Sequence, residues 1–131
     1  MEKSNLVFIS YSHRDREWVH EFVEELTKRG VNVWLDEKEI ALGELIADKL
    51  EEALRSSDSL ILVLSPENIH SSNLFFELGA ALAGGKRVIA VVDKDVQAKD
   101  LPAPIRHRRY LVKESPQGTA GHVAEVLMIV Q

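Results

Sequence analysis

The chain of 131 residues is long enough to bury a core and too short for two ordinary domains. Hydrophobic residues make up 45% of it and charged residues 28%, which is typical of a folded, soluble protein. The net charge of -5 argues against a general nucleic-acid binder, because phosphate recognition needs a basic face. The chain has no cysteine, which excludes disulfides, thiolate catalysis and cysteine zinc sites.

No apolar run approaches the roughly twenty residues that a membrane span needs. The first residues, MEKSNLVF, also lack the basic segment and long apolar stretch of a secretion signal. We therefore expect one cytoplasmic domain over residues 1–131, without membrane contact. Domains of this size are often one module of several, so an additional sensor domain or partner protein is compatible with it.

The first part of the chain predicts a strand, a helix and a second strand. Leu6–Ser10 (LVFIS) is a short apolar run that indicates a buried strand. Ser12 or Asp15 can cap the helix that follows, and Gly30 ends it. Residues 31 to 35 (VNVWL) alternate in polarity, which predicts a strand nearer the edge of the sheet. The apolar stripe of the helix consists of Trp18, Val19, Phe22, Val23 and Leu26.

The middle of the chain predicts two further helices and two buried strands. After an acidic loop at residues 36 to 43 (DEKEIALG), residues 42 to 54 have one apolar helix face. Residues 59 to 65 and Arg87–Val92 are apolar runs typical of parallel strands covered on both sides. A helical pattern lies between these strands and ends at a Gly-Gly pair. Its apolar positions are Leu74, Phe75, Leu78, Ala81 and Leu82.

The last third of the chain is more polar. Residues 93 to 104 contain two prolines, so at most a short helix fits there. Residues 107 to 112 (HRRYLV) predict a fifth strand with the charged character of a sheet edge. Residues 118 to 130 predict a closing helix that turns its valine and leucine side chains inward. Both tryptophans of the chain are predicted to belong to the core.

Strands that alternate with helices imply right-handed crossovers and a parallel sheet with helices on both faces. With five strands we expect the flavodoxin-like, doubly wound α/β fold, in which the first and third strands are neighbours at the topological switch point. Ligands of such sheets bind there, outside the carboxyl ends of the strands. The residues that this geometry nominates are Tyr11, Ser12, His13 and Arg14 after the first strand, Asp36 after the second, and Ser65 and Glu77 after the third.

Glu77 lies within the apolar pattern of the helix that follows the third strand. A carboxylate on the flank of a packing face either reaches a polar partner or points into a crevice where a ligand binds. Lys86, Arg87 or a backbone amide would be such a partner. The spacing alone leaves both interpretations open.

Three segments follow one another along the chain: VFISYSHRDREW near the start, VWLDEKEIALGELI in the second unit and SPENIHSSNLFFELGAAL in the third. Together they resemble the Toll/interleukin-1 receptor (TIR) domain family in its bacterial form, and the resemblance covers essentially the whole chain. It implies a flavodoxin-like fold, in agreement with the predicted sheet. Some TIR domains are scaffolds that signal by self-association. Others cleave NAD+ at the nicotinamide glycosidic bond and form ADP-ribose or a cyclised isomer.

The resemblance implies a catalytic residue. In the enzymatic members one glutamate on the helix after the third strand carries the chemistry, and in this chain that position is Glu77. Departure of nicotinamide leaves an oxocarbenium-like ribose, which a carboxylate can stabilise. NAD+ is then the substrate, and neither a cofactor nor a metal is expected. Many enzymatic members have a tryptophan four residues before the glutamate, where this chain has Asn73, and this departure implies a different product or low turnover.

The other nominated residues each have a role in substrate binding and a structural alternative, and Asp36 alone among them matches a position that borders the pocket in the family. Arg14 can bind the pyrophosphate of NAD+. Alternatively, His13 and Arg14 simply form a solvated, charged loop. Tyr11 can stack on a ring or simply cover the end of the sheet, and Asn73 can hydrogen-bond a ribose. Asp36 borders the pocket or forms a turn. The loop that contacts neighbouring protomers in TIR domains, and that would assemble oligomers or filaments on activation, corresponds here to Glu37, Lys38, Glu39, Ile40 and Gly43.

The resemblance implies an NAD+ glycohydrolase or cyclase that acts in bacterial antiviral immunity. Two other functions compete with this prediction. One is a non-catalytic TIR scaffold that signals by oligomerisation. The other is an enzyme like the nucleoside deoxyribosyltransferases, which the segment FFELGAALAGGKRVIAV partly resembles. The sequence argues against a phospho-receiver domain, because that domain needs an aspartate at the end of the third strand, where this chain has Ser65.

Overall fold

The computed structural model describes residues 6–35, 56–70, 72–106 and 110–129, and of residues 35, 72–77, 128 and 129 the backbone alone. The helix predicted over residues 42 to 54 lies outside the described residues. In the described part of the chain the strands are β1 (Leu6–Ser10), β2 (Asn32–Leu35), β3 (Ser59–Leu64), β4 (Arg87–Val92) and β5 (Leu111–Val112). The helices there are α1 (Arg16–Lys28), α2 (Ser72–Ala83), α3 (Ala103–Arg106) and α4 (Pro116–Ile129), with 3-10 turns at His13–Asp15 and Ala98–Asp100.

The strands form a parallel sheet in the order β2-β1-β3-β4-β5. This is the flavodoxin-like order predicted from the sequence, so the prediction of the fold is confirmed. β1 lies between β2 and β3, and Phe8 is paired with Trp34 on one side and Leu60 on the other. The alternating strand predicted near an edge is β2, which does lie at an edge of the sheet.

Helices cover both faces of the sheet, and each face has its own apolar core. On one face Phe22 of α1 and Val123 of α4 pack with Ile9 of β1. On the other face Leu78 of α2 packs with Phe8 of β1. Burial of a side chain of this size contributes about 1.5–3 kcal/mol. The two tryptophans pack against these cores, as predicted, and stack on Phe8 and Phe22 with ring centroids 5.0 and 4.9 Å apart.

Glycines end α1 and α2, as the sequence predicts. Gly30 has a φ of 85°, a conformation that side chains with a Cβ rarely adopt. It allows the N–H of Val31 to donate to the carbonyl of Leu26 at 3.1 Å, which closes α1. Gly85, with a φ of 70°, follows the end of α2 in the same way. No helix within the described ranges is both long and apolar enough to cross a membrane.

Two predicted boundaries near the end of the chain are wrong. β5 covers Leu111–Val112 rather than residues 107 to 112, because it pairs only with the last two residues of β4, and residues 107–109 lie outside the described residues. α4 begins at Pro116 rather than at residue 118, because Ser115 caps it: the Ser115 Oγ accepts a hydrogen bond from the Gly118 N–H at 3.0 Å. Proline suits the first position of a helix, where no partner for an N–H is needed.

Candidate functional site

The predicted switch point lies between β1 and β3. These strands are paired from Val7 opposite Ser59 to Ser10 opposite Leu62. The chain leaves β1 for α1 on one face of the sheet and leaves β3 for α2 on the other face. The two connections therefore separate at the carboxyl ends of neighbouring strands. This arrangement produces the crevice in which ligands of doubly wound sheets bind.

The turn after β1 is connected to the loop after β3 through Ser12. Its Oγ accepts a hydrogen bond from the Arg14 N–H at 3.3 Å and so caps the 3-10 turn His13–Asp15. The same Oγ donates to Oε1 of Glu67 at 3.1 Å, across the crevice. Glu67 was not among the predicted site residues. The segment SPEN gave no signal for it, because its partner lies 55 residues earlier in the chain.

The loop after β3 is held by the side chain of Asn68, which the sequence analysis also missed. Its Oδ1 accepts from the N–H of Ser65 at 2.9 Å, and its Nδ2 donates to the carbonyl of Val63 at 3.0 Å. The hydroxyl of Ser65 is fully buried and has no hydrogen-bond partner among the residues that the structure describes. A buried hydroxyl without a partner costs free energy, and such exceptions concentrate at functional sites. Ser65 lies directly after β3, and its role in substrate binding stays a prediction.

His13 and Arg14 are both exposed on the turn after β1. They line an open groove of about 640 Å³ along the first turns of α1. The other described residues of this groove are Arg16, Glu17, His20 and Glu21, all of α1. Tyr11 is partly buried and packs against the core on the α1 face. The turn thus presents His13 and Arg14 to solvent, while Tyr11 covers the sheet.

The predicted catalytic residue, Glu77, lies in the middle of α2, and Asn73 lies one turn earlier on the same helix. The side chains of both lie outside the described part of the structure, so their contacts stay predictions. The same holds for Asp36 and for the predicted protomer-contact residues Glu37, Lys38, Glu39, Ile40 and Gly43, which lie outside the described residues altogether.

Lys86 and Arg87, the predicted alternative partners of Glu77, have contacts of their own. The Lys86 Nζ donates to the carbonyl of Ser57, and the Arg87 Nη1 donates to the carbonyl of Val126 at 3.3 Å. Both lie at the amino edge of β4, whereas the crevice opens at the carboxyl ends of the strands. Within the described ranges, no three His, Asp or Glu side chains are grouped so that they could hold a metal ion.

Comparison with known proteins identifies the family. The family model for the TIR domain matches residues 7–121. The "NAD(+) hydrolase TcpA" of Theionarchaea archaeon (strain DG-70-1) is 33% identical over 102 residues, which cover 77% of this chain and 28% of that protein. The "2' cyclic ADP-D-ribose synthase AbTIR" of Acinetobacter baumannii (strain 1295743) is 32% identical over 93 residues, covering 67% of this chain and 35% of that protein.

A solved structure has the same fold. The TIR domain of the Toll-related receptor TRR-2 from Hydra magnipapillata aligns with a TM-score of 0.69 and 23% identity, over 93% of this chain and 90% of that one. The chain spans about a third of the length of the two relatives above. Because the family model matches residues 7–121, which is most of the chain, the chain belongs to the TIR domain family.

Proposed function

We propose that this domain cleaves the nicotinamide glycosidic bond of NAD+ and forms ADP-ribose or a cyclic ADP-ribose isomer. Family membership supports this, as do the names of two relatives, an NAD(+) hydrolase and a 2' cyclic ADP-D-ribose synthase. The observation that carries the proposal is the position of Glu77 on α2, the helix that follows β3 at the switch-point crevice. NAD+ is the substrate, and the reaction needs no cofactor.

The chemistry requires one carboxylate. As the bond between ribose and nicotinamide breaks, positive charge that was on the pyridinium ring develops on the ribose. The Glu77 carboxylate stabilises that charge and holds the ribose hydroxyls. Nicotinamide leaves as a neutral molecule, so a second carboxyl group that protonates a leaving group is not needed. Water then attacks the ribose in hydrolysis, or a hydroxyl of the same molecule attacks it in cyclisation.

The residues around the crevice bind the rest of the substrate. Arg14, exposed on the turn before α1, pairs with the pyrophosphate. The hydroxyl of Ser65 is buried and has no partner among the described residues, and it reaches a substrate oxygen when the side chains that cover it move. Ser12 joins these two parts of the site through its bond to Glu67. Asn73 supplies a ribose contact, and Asp36 borders the pocket.

Nicotinamide release tests this function. Clustered protein is incubated with NAD+, and the products are separated by chromatography, which distinguishes ADP-ribose from cyclic isomers. The expected result is release by the natural protein and none above background by Glu77→Ala. A parallel incubation with deoxynucleosides tests the deoxyribosyltransferase alternative, which predicts release of a free base there and no reaction with NAD+. Equal backgrounds for both proteins under clustering contradict the proposal.

We also propose that activation occurs by self-association and that the domain acts in bacterial immune signalling. The loop at Glu37 to Gly43 would make the contact between protomers, as the family resemblance implies. Specific activity is then expected to rise with protein concentration, and Gly43→Pro is expected to abolish the rise. Activity proportional to concentration across the whole range contradicts activation by association.

One observation favours a second function, a non-catalytic scaffold. This chain has Asn73 where many enzymatic members have a tryptophan. A scaffold predicts that substitutions in the protomer-contact loop abolish assembly, while Glu77→Ala leaves assembly and every downstream response unchanged. The two functions therefore differ in the effect of the Glu77 carboxylate, and comparison of the natural protein with Glu77→Ala distinguishes them.

A further inference from the structure

Lys113 follows β5 directly and lies among three partners that are distant in sequence. Its Nζ is 2.9 Å from Oδ1 of Asp15, which comes 98 residues earlier, and 3.7 Å from Oδ2 of Asp93, which follows β4. It also lies 5.0 Å from the ring centroid of Trp18. The side chains of Lys113 and Asp15 are 15% and 5% exposed, so this ion pair is largely removed from water. Solvent screens it less than a surface pair.

The Lys113 end of this pair is fixed by the sheet. The N–H of Lys113 donates to the carbonyl of Val92 at 2.8 Å, and the N–H of Asp93 donates to the carbonyl of Leu64 at 2.9 Å. These two bonds continue the β4–β5 and β3–β4 ladders beyond the ends of the strands. The backbones of Lys113 and Asp93 are therefore fixed at the carboxyl edge of the sheet.

The Asp15 end belongs to the 3-10 turn that follows β1, which Ser12 caps. Asp15 is the buried residue of the 3-10 turn His13–Asp15, and it does not cap α1 with its side chain. Its N–H donates to the carbonyl of Ser12 at 2.8 Å, but none of the described residues hydrogen-bonds its Oδ2. The charge of this carboxylate is thus balanced chiefly by Lys113. Asp15 thus joins the turn to the segment that follows β5, which the Trp18 Nε1 of α1 also contacts by donating to the carbonyl of Glu114 at 2.8 Å.

We propose that Lys113 is a positioning residue for substrate binding, which fixes the turn after β1 by anchoring Asp15 to the sheet. The inference rests on the proposed NAD+ cleavage, since Arg14, the neighbour of Asp15, is the residue assigned to the pyrophosphate. Without the ammonium group Asp15 is buried beside Asp93 with no counter-charge, a state that is strongly unfavourable and moves the turn. Glu77 is on α2, on the other face of the sheet, and keeps its place. Loss of Lys113 therefore weakens binding and leaves the chemical step largely unchanged.

The test compares Lys113→Met with Lys113→Arg in the complete chain. Methionine keeps an apolar stem of similar length against Trp18 and removes the charge, whereas arginine keeps the charge. We expect Lys113→Met to raise the KM for NAD+ by about ten- to a hundred-fold while kcat changes by less than about three-fold. Lys113→Arg is expected to recover most of the difference. The double variant Asp15→Asn with Lys113→Met is expected to lie closer to the natural protein than Lys113→Met alone, because no uncompensated carboxylate remains at that position.

Hydrogen exchange of the amides in the turn provides a readout that does not depend on catalysis. Lys113→Met is expected to speed exchange at Arg14 and Asp15 more than at the core amides of β3. The inference is overturned if the KM is unchanged, or if exchange rises equally in the turn and in β3. The pair of Lys113 and Asp15 would then serve stability alone, and the proposed NAD+ cleavage would be unaffected. If the natural protein releases no nicotinamide, the proposed function fails, and the exchange measurement still decides whether Lys113 holds the turn.

Discussion

Asn68→Ala removes the side chain that closes the loop between β3 and α2. Two hydrogen bonds are lost, from the Ser65 N–H at 2.9 Å and to the Val63 carbonyl at 3.0 Å. Both backbone groups belong to residues with no exposed surface, so water reaches them poorly. Each buried group left without a partner costs about 1–3 kcal/mol, and we expect the free energy of unfolding to fall by about 2–4 kcal/mol.

Urea or thermal unfolding followed by circular dichroism measures this loss. Each kcal/mol lowers the Tm by roughly 3–5 °C in a domain of this size. His70→Ala is the matched control: His70 is exposed in the same loop, and its replacement is expected to change stability by less than about 0.5 kcal/mol. A loss below that value for Asn68→Ala refutes the reasoning. The loop would then not be organised by this side chain.

Two further predictions concern a buried hydroxyl and a surface carboxylate. Ser65→Ala is expected to leave the free energy of unfolding unchanged or to raise it by up to about 1 kcal/mol, because the hydroxyl has no partner among the described residues. The same variant is expected to raise the KM for NAD+ by about two- to ten-fold. Lower stability together with an unchanged KM contradicts this prediction. The Arg29 guanidinium, 2.9 Å from Glu25, holds the pKa of that carboxyl below its usual range. Its contribution to stability is therefore present above the ordinary carboxyl pKa and is lost as the pH falls through the lowered folded-state pKa. Natural protein and Glu25→Gln should differ in unfolding at neutral pH and converge as the pH falls below the ordinary carboxyl range. A difference that does not depend on pH refutes the assignment.

The strands of the sheet could be predicted because their signal is local. β1 and β4 have the predicted bounds, since each is an apolar run between polar residues and is buried by its neighbours. The strand order followed from the alternation of strands and helices. The start of α4 was missed because the prediction followed the apolar pattern, whereas the helix begins where Ser115 and Pro116 provide its cap and first residue.

The sequence places the candidate site at the carboxyl ends of β1 and β3, which stays a prediction, and it gives no sign of the polar contacts there. Ser12 and Ser65 follow β1 and β3, and the fold rule alone places them at one edge of the sheet. The bond from Ser12 to Glu67 and the pair of Lys113 with Asp15 join residues 55 and 98 positions apart. Polar side chains at such separations leave no periodic pattern in the sequence, because their pairing depends on how the loops pack after the sheet has formed.

Nicotinamide release by Glu77→Gln is the most direct test of the central claim, that the carboxylate on α2 cleaves NAD+. Glutamine keeps the size and hydrogen-bonding shape of the side chain and removes its charge. With clustered proteins of equal thermal stability, we predict a rate at least about a hundred-fold below that of the natural protein, because stabilisation of the ribosyl cation is lost. Equal rates of nicotinamide release from the two proteins would contradict the account.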